Sequence, residues 1–132
     1  MNNYLKGIVM YNKNGFATYA ENDINVKSPY KLIELLYEGI LKFNTLSLNA
    51  MNKGDIENKI YYINRSTAII TELINILDMS KGQISYYLKG MYEYQIILLS
   101  ESISENNPDK IKESINVFKT MLLSWRDEIK AI

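Results

Sequence analysis

The carboxylates whose spacing first suggests chemistry are Glu34 with Glu38 and Glu101 with Glu105, each pair one helical turn apart. Such pairs do acid–base work when burial or a neighbouring charge drives their two pKa values apart. Here both pairs stand on polar faces beside lysines, which reads as solvated surface. The commoner catalytic groups are missing, because the 132 residues contain no histidine and no cysteine. That removes the usual general base, the usual zinc ligand, the Glu-x-x-His di-iron arrangement of helical bundles, thiol nucleophiles and disulfides. No glycine-rich phosphate loop, nucleophile elbow or metal-ligand cluster occurs, and "KGD" at 53–55 and "SKGQ" at 80–83 are turn and cap sequences. The lone Trp125 falls in an apolar series and reads as packing. The residues predict no enzyme, no cofactor and no metal.

Charge narrows the partners. Fifteen basic residues balance fifteen acidic ones, so no long-range field draws the chain to nucleic acid or to an anionic membrane. The N-terminus, "MNNYLKGIVMYNKNGF", has one lysine before an apolar run that Tyr11, Asn12 and Lys13 end too early for a signal peptide or a membrane span. The expectation is an intracellular, soluble protein with no nucleic-acid partner and no membrane insertion.

The elements that position these residues are helices. Glycine, proline and asparagine divide the chain into an N-terminal segment, 1–27, and a bundle, 28–132, with helices over about 29–51, 55–77, 82–105 and 108–131. Ser28 is a good N-cap and Pro29 fits the first helical position, where no N–H is missed. "NKGD" at 52–55 supplies a turn glycine and an aspartate cap, "DMSKG" at 78–82 breaks the next helix, and "NNPD" at 106–109 repeats the cap-plus-proline signal. Apolar residues then recur at alternating spacings of three and four. On the first helix the series is Leu32, Leu36, Ile40, Phe43, Ser47 and Ala50. The second has Ile56, Ile60, Ile63, Thr67, Ile70, Ile74 and Leu77, and the third Ile84, Leu88, Met91, Gln95, Leu98 and Ser102. The fourth has Ile111, Ile115, Phe118, Leu122, Trp125 and Ile129. Long helices joined by short turns pack antiparallel, so the fold class is all-α, an up-down-up-down four-helix bundle preceded by an extended or short-helical segment. Gly39 and Gly90 fall inside helices, which predicts close helix approach at both.

More apolar surface is present than one core needs. On the first helix apolar positions cover roughly 240° of the helical projection, with Leu35 and Leu46 on one shoulder of the core face and Tyr37, Leu41 and Leu48 on the other. The second helix carries a separate stripe of Tyr62, Ile69 and Ile76 with Leu73 beside it, offset from its core series by roughly 80–100°. The third helix has Tyr87 and Tyr94 on one flank, with Tyr86 and Ile97 farther round, and Tyr92, Ile96 and Ile103 on the other flank. On the fourth, Val117 and Met121 flank the core. Bundle helices bury part of such flanks, but contiguous apolar patches beyond a few hundred Å² usually mark partner sites. A further helix laid between two of these would meet anchors at the spacing a helix-in-groove contact uses. The groove anchors expected are Tyr62, Ile69, Leu73, Ile76, Tyr87, Tyr94 and Ile97. The alternative is that the same shoulders pair with a second copy in a structural homodimer without a client.

The stretch "SPYKLIELLYEGILKF" also resembles the opening helix of the FliS family of flagellar export chaperones, whose pattern runs roughly S-P-x-x-L-I-x-x-L-Y-x-G. Ser28, Pro29, Leu32, Ile33, Leu36, Tyr37 and Gly39 match it in place. "GDIENK", "STAIITELINILDMSKGQIS", "YLKGMYEYQIILL" and "LLSWRDEI" are similar to the family's later blocks, in order. The chain departs in a longer first 18 residues or so and at Ser66 and Thr67, where alanine and glutamine are usual.

The resemblance implies an antiparallel helical bundle that acts as a cytoplasmic chaperone. It would bind the C-terminal segment of flagellin, keep it from polymerising early and deliver it to the flagellar type III export apparatus, with other cytoplasmic flagellar regulators as further partners. It implies as well that an N-terminal tyrosine covers part of the bundle until flagellin replaces it. That role falls on Tyr19, with Phe16 nearby. The oligomeric expectation is a monomer or a weak homodimer.

Overall fold

The computed structural model describes residues 29–130, without the side chain of residue 129. The expectations on Phe16, Tyr19, the Ser28 cap and Ile129 lie outside what is described. Four helices follow one another: α1 (Pro29–Asn52), α2 (Ile56–Asn75), α3 (Gln83–Ser104) and α4 (Pro108–Lys130), with a 3₁₀ turn at Met79–Lys81 before α3. Pro29 opens α1. At its far end Asp55 N donates to Ala50 O at 2.8 Å and Gly54 N to Met51 O at 3.1 Å, while Gly54 takes a φ of 74°. This is a Schellman stop, and the left-handed residue it requires explains the glycine. Asp55 then caps α2, accepting from Asn58 N at 3.2 Å.

Helix α3 ends by the same device with asparagine in the left-handed position. Asn106 has a φ of 51°, and Asn107 N donates to Ser102 O at 2.9 Å. Asn107 also accepts from Asp109 N at 3.0 Å, so one residue closes α3 and caps α4. Short turns of this kind force neighbouring helices antiparallel, and the result is the all-α four-helix bundle. Helix α1 packs against α2 and α4, and α3 closes the ring from the opposite side.

The packing is uneven for reasons visible in the residues. The α1–α2 seam includes small residues at three points, Gly39, Ser47 and Ser66. A Cβ at Gly39 would lie 3.0 Å from Ile69 Cδ1, Ser47 Oγ donates to Lys59 O at 2.8 Å, and Ser66 Oγ donates to Ile40 O at 3.3 Å. Small residues let helix axes approach, so α1 and α2 form the tight half of the bundle. The core itself joins Leu32, Ile33 and Ile40 to Ile63, Ile70, Leu99, Ile111 and Phe118. Trp125 is buried in the core, as its place in the series predicts, and its Nε1 donates to Tyr30 O at 2.8 Å, tying the end of α4 to the start of α1.

Several expected core positions are not core. Ile56 is 65% exposed, and Ile60 and Ile84 are also exposed. Leu36, Phe43, Thr67, Ile74, Leu88 and Met91 are only half-buried. Their places are taken by residues that read as flank or as polar. Tyr37 and Tyr92 are buried and share a hydrogen bond of 2.8 Å between their hydroxyls, and Asn44, Lys59, Ser66 and Ser85 are buried as well. Polar groups on the true inner face broke its apolar pattern, while isoleucines one position round supplied a rival pattern at the same spacing.

Candidate docking surface

The paired carboxylates prove to be struts between elements. Arg126 of α4 donates to Glu34 at 3.0 Å and to Glu38 at 2.6 Å, both on α1. The expectation of solvated surface fails for Glu34, whose side chain is 16% exposed. A hydrogen bond from Lys31 leads in holding the Glu34 carboxyl below the usual carboxylate range, and Arg126 adds to it against the opposing effect of burial. Lys110 of α4 in the same way pairs with Glu101 of α3 and with Glu105 just past its end. These are ion pairs, and they leave no carboxylate pair poised for proton transfer.

What remains chemically distinctive is apolar surface, and most of it lies on α3. Tyr87 is 72% exposed, Tyr94 51% and Ile97 54%, with Tyr86 and Ile84 exposed beside them. A surface helix needs only one apolar stripe, yet α3 buries Tyr92, Leu98 and Leu99 on its inner side and carries these apolar residues on its outer side as well. Between α3 and α4 runs a groove of about 420 Å³ lined by Tyr87, Leu88, Met91, Asn116, Val117, Thr120 and Met121. No lining side chain is charged. The flank residues Val117 and Met121 thus meet Tyr87 along one trough.

The expected anchors divide by helix. Tyr87, Tyr94 and Ile97 lie together on the outer side of α3. The α2 stripe is placed otherwise. Leu73 is fully buried and Ile76 is 3% exposed, so both are core and out of a partner's reach, a correction to their reading as groove anchors. Ile69 packs over Gly39 on the α1 side, and Tyr62 stacks on Phe43 of α1 with ring centroids 6.1 Å apart. Helical projection places these four on one side of α2 correctly, but that side faces α1 and the interior. The side of α2 that stays open carries Ile56, Ile60 and Tyr61, which the sequence reading assigned to the core or left out. The signal that could have found them is their place in the first turns of α2, where a neighbour's turn gives little cover.

The chain was compared with known proteins. The family described as "Flagellar protein FliS" matches residues 12–131. A flagellar secretion chaperone FliS of Campylobacter jejuni is 46% identical over 119 residues, spanning 89% of this chain and 93% of its own. The protein of the same name in Bacillus subtilis is 26% identical over 90% of this chain and 89% of its own, and that of Salmonella typhimurium is 26% identical over 89% and 91%. With a family match over nearly its whole length and a relative this similar, the chain belongs to the FliS family of flagellar proteins, a family of chaperones and not of enzymes.

Proposed function

We propose that this protein is a cytoplasmic flagellar secretion chaperone. It binds the disordered C-terminal segment of flagellin, holds it back from polymerising, and delivers it to the flagellar type III export apparatus. The observation that carries the reading is the outward apolar side of α3, with Tyr87, Tyr94 and Ile97 exposed above an uncharged groove to α4. A polymerisation-competent tail carries apolar stripes that need cover until export. Folded into helices along this surface, it would bury them and leave again, because coupled folding spends several kcal/mol of its gross interaction on ordering the chain. In this reading Phe16 and Tyr19 of the segment 1–27 occupy part of the surface until the client arrives.

Calorimetric titration with a synthetic peptide of the host flagellin's C-terminal segment tests the reading. The expected result is binding at one peptide per chain with a negative heat-capacity change. The Tyr94→Glu, Ile97→Glu double variant should lose it while keeping its helical circular dichroism. No binding by the wild type refutes the proposal. A wild type that sediments as a dimer through the same residues, and ignores the peptide, assigns the surface to a second copy instead.

A further inference from the structure

Glycine in the middle of a helix is unfavourable relative to alanine, and the two interior glycines turn out to differ. At Gly39 contact with Ile69 accounts for the missing side chain. At Gly90 an added Cβ would meet no atom of the described residues within 4 Å. Nor does the backbone demand glycine there, since the glycines of the described chain with positive φ are Gly54 and Gly82. Nothing among the described residues therefore accounts for Gly90.

Its surroundings do. Tyr86 and Tyr87 stand one turn before it and Tyr94 one turn after, all exposed. The missing side chain at Gly90 thus leaves a notch on a largely apolar face, between tyrosines one turn to either side. The adjacent charges, Lys89 and Glu93, lie 3.7 Å apart and offset one another. The groove on the α4 side is uncharged. A charged residue brought into the notch would be desolvated without a partner, so the notch suits an uncharged stripe.

We infer that Gly90 is the point of closest backbone approach for the client, where an amphipathic helix of the flagellin segment crosses α3 and presents a small residue, glycine, alanine or serine. The inference rests on the client reading above. The distance between crossing helices is set by the side chains at the contact. Glycine at the floor lets the client's axis come down between the rings, whose faces then cover its flanks at little entropic cost. Gly90 thereby sets which stripe of the client can dock.

The test uses the full chain with Gly90→Ala and Gly90→Leu, titrated with the same flagellin peptide and melted in parallel. Gly90→Ala should melt at a higher temperature than the wild type and yet bind more weakly. Gly90→Leu should bind about ten- to a hundredfold more weakly, as overfilling a fitted contact does. If the wild type binds and Gly90→Leu binds equally well, the inference is overturned while the client reading stands. A lower melting temperature for Gly90→Ala overturns it too, because the glycine then serves the fold. A wild type that ignores the peptide ends both readings, and a dimer abolished by Gly90→Leu gives the notch to a second copy.

Discussion

Truncating Leu73 and Ile97 separately should split stability from binding. Both were candidate anchors, but Leu73 has no exposed surface and Ile97 is 54% exposed. Leu73→Ala removes about three carbon groups at roughly 0.8 kcal/mol each, about 2.4 kcal/mol before any cavity remains. The bundle around Leu73 cannot collapse onto the gap, so the total should reach about 3–4 kcal/mol, within the range of such truncations. In a domain of this size that lowers Tm by about 10–15 °C. Ile97→Ala removes the same three carbons at only about half the burial and gains helix propensity, so it should move stability by less than about 1 kcal/mol. Urea unfolding followed by circular dichroism, with equal slopes for the two variants, measures both. Titration of the flagellin peptide at a temperature where each is folded should then show weakened binding for Ile97→Ala and near-native binding for Leu73→Ala. Equal destabilisation by the two, or loss of binding with Leu73→Ala alone, would refute the division between core and surface.

Other predictions follow from single contacts. Asn44 Nδ2 donates to Ser114 Oγ at 3.2 Å in the interior, and Asn44 Oδ1 has no hydrogen-bond partner among the described residues. Ser114→Ala should cost about 1–3 kcal/mol by stranding the amide, and adding Asn44→Leu should recover most of it, which a double-mutant cycle of unfolding free energies measures. Because Lys31 and Arg126 depress the folded-state pKa of Glu34, its contribution to stability is present above the unfolded value of about 4.3 and is lost as pH falls through the lower folded value. Glu34→Gln should accordingly flatten the fall in Tm below about pH 4. Gly39→Leu should destabilise the fold by more than about 1 kcal/mol, since even a Cβ there touches Ile69. Thermal melts of the variant alongside Gly90→Leu, which should not lower stability because leucine favours the helix and an added Cβ there meets no described atom, check the contrast.

The legible parts of the fold were those governed by local chemistry. Gly54 and Asp55 announced one turn, Asn107 and Pro108 another, and the structure uses them as stop and cap. On α4 the series from Ile111 to Trp125 is buried throughout, because most of the remaining positions of that helix are polar and its few other apolar residues form no series of comparable length. Helices α2 and α3 resisted the same reading. Each carries two apolar series, and the inner face of each also holds polar residues outside the expected series, Lys59 and Ser66 on α2 and Ser85 on α3. The α2 pair finds its hydrogen-bond partners on other elements: Lys59 Nζ donates to Asn106 Oδ1 at 3.1 Å, and Ser66 Oγ to the Ile40 carbonyl. Those partners are far away in the chain, so nothing local marks the residues as interior.

By itself the sequence determined the class of the fold, the turns, the absence of histidine and thiol chemistry, and an excess of apolar surface pointing to a partner. It showed that two stripes run along α2 and that tyrosines cluster on α3. Only the tertiary structure decided which stripe faces inward. It placed Leu73 and Ile76 in the core, turned Ile56 and Ile60 outward, and left the notch at Gly90 open. The physical reason is that periodicity fixes the angle between two faces of a helix, while the choice of inner face depends on how closely its neighbours approach. Here that choice follows from the small residues of the α1–α2 seam, which draw those two helices together and leave α3 with a side that nothing in the described chain covers.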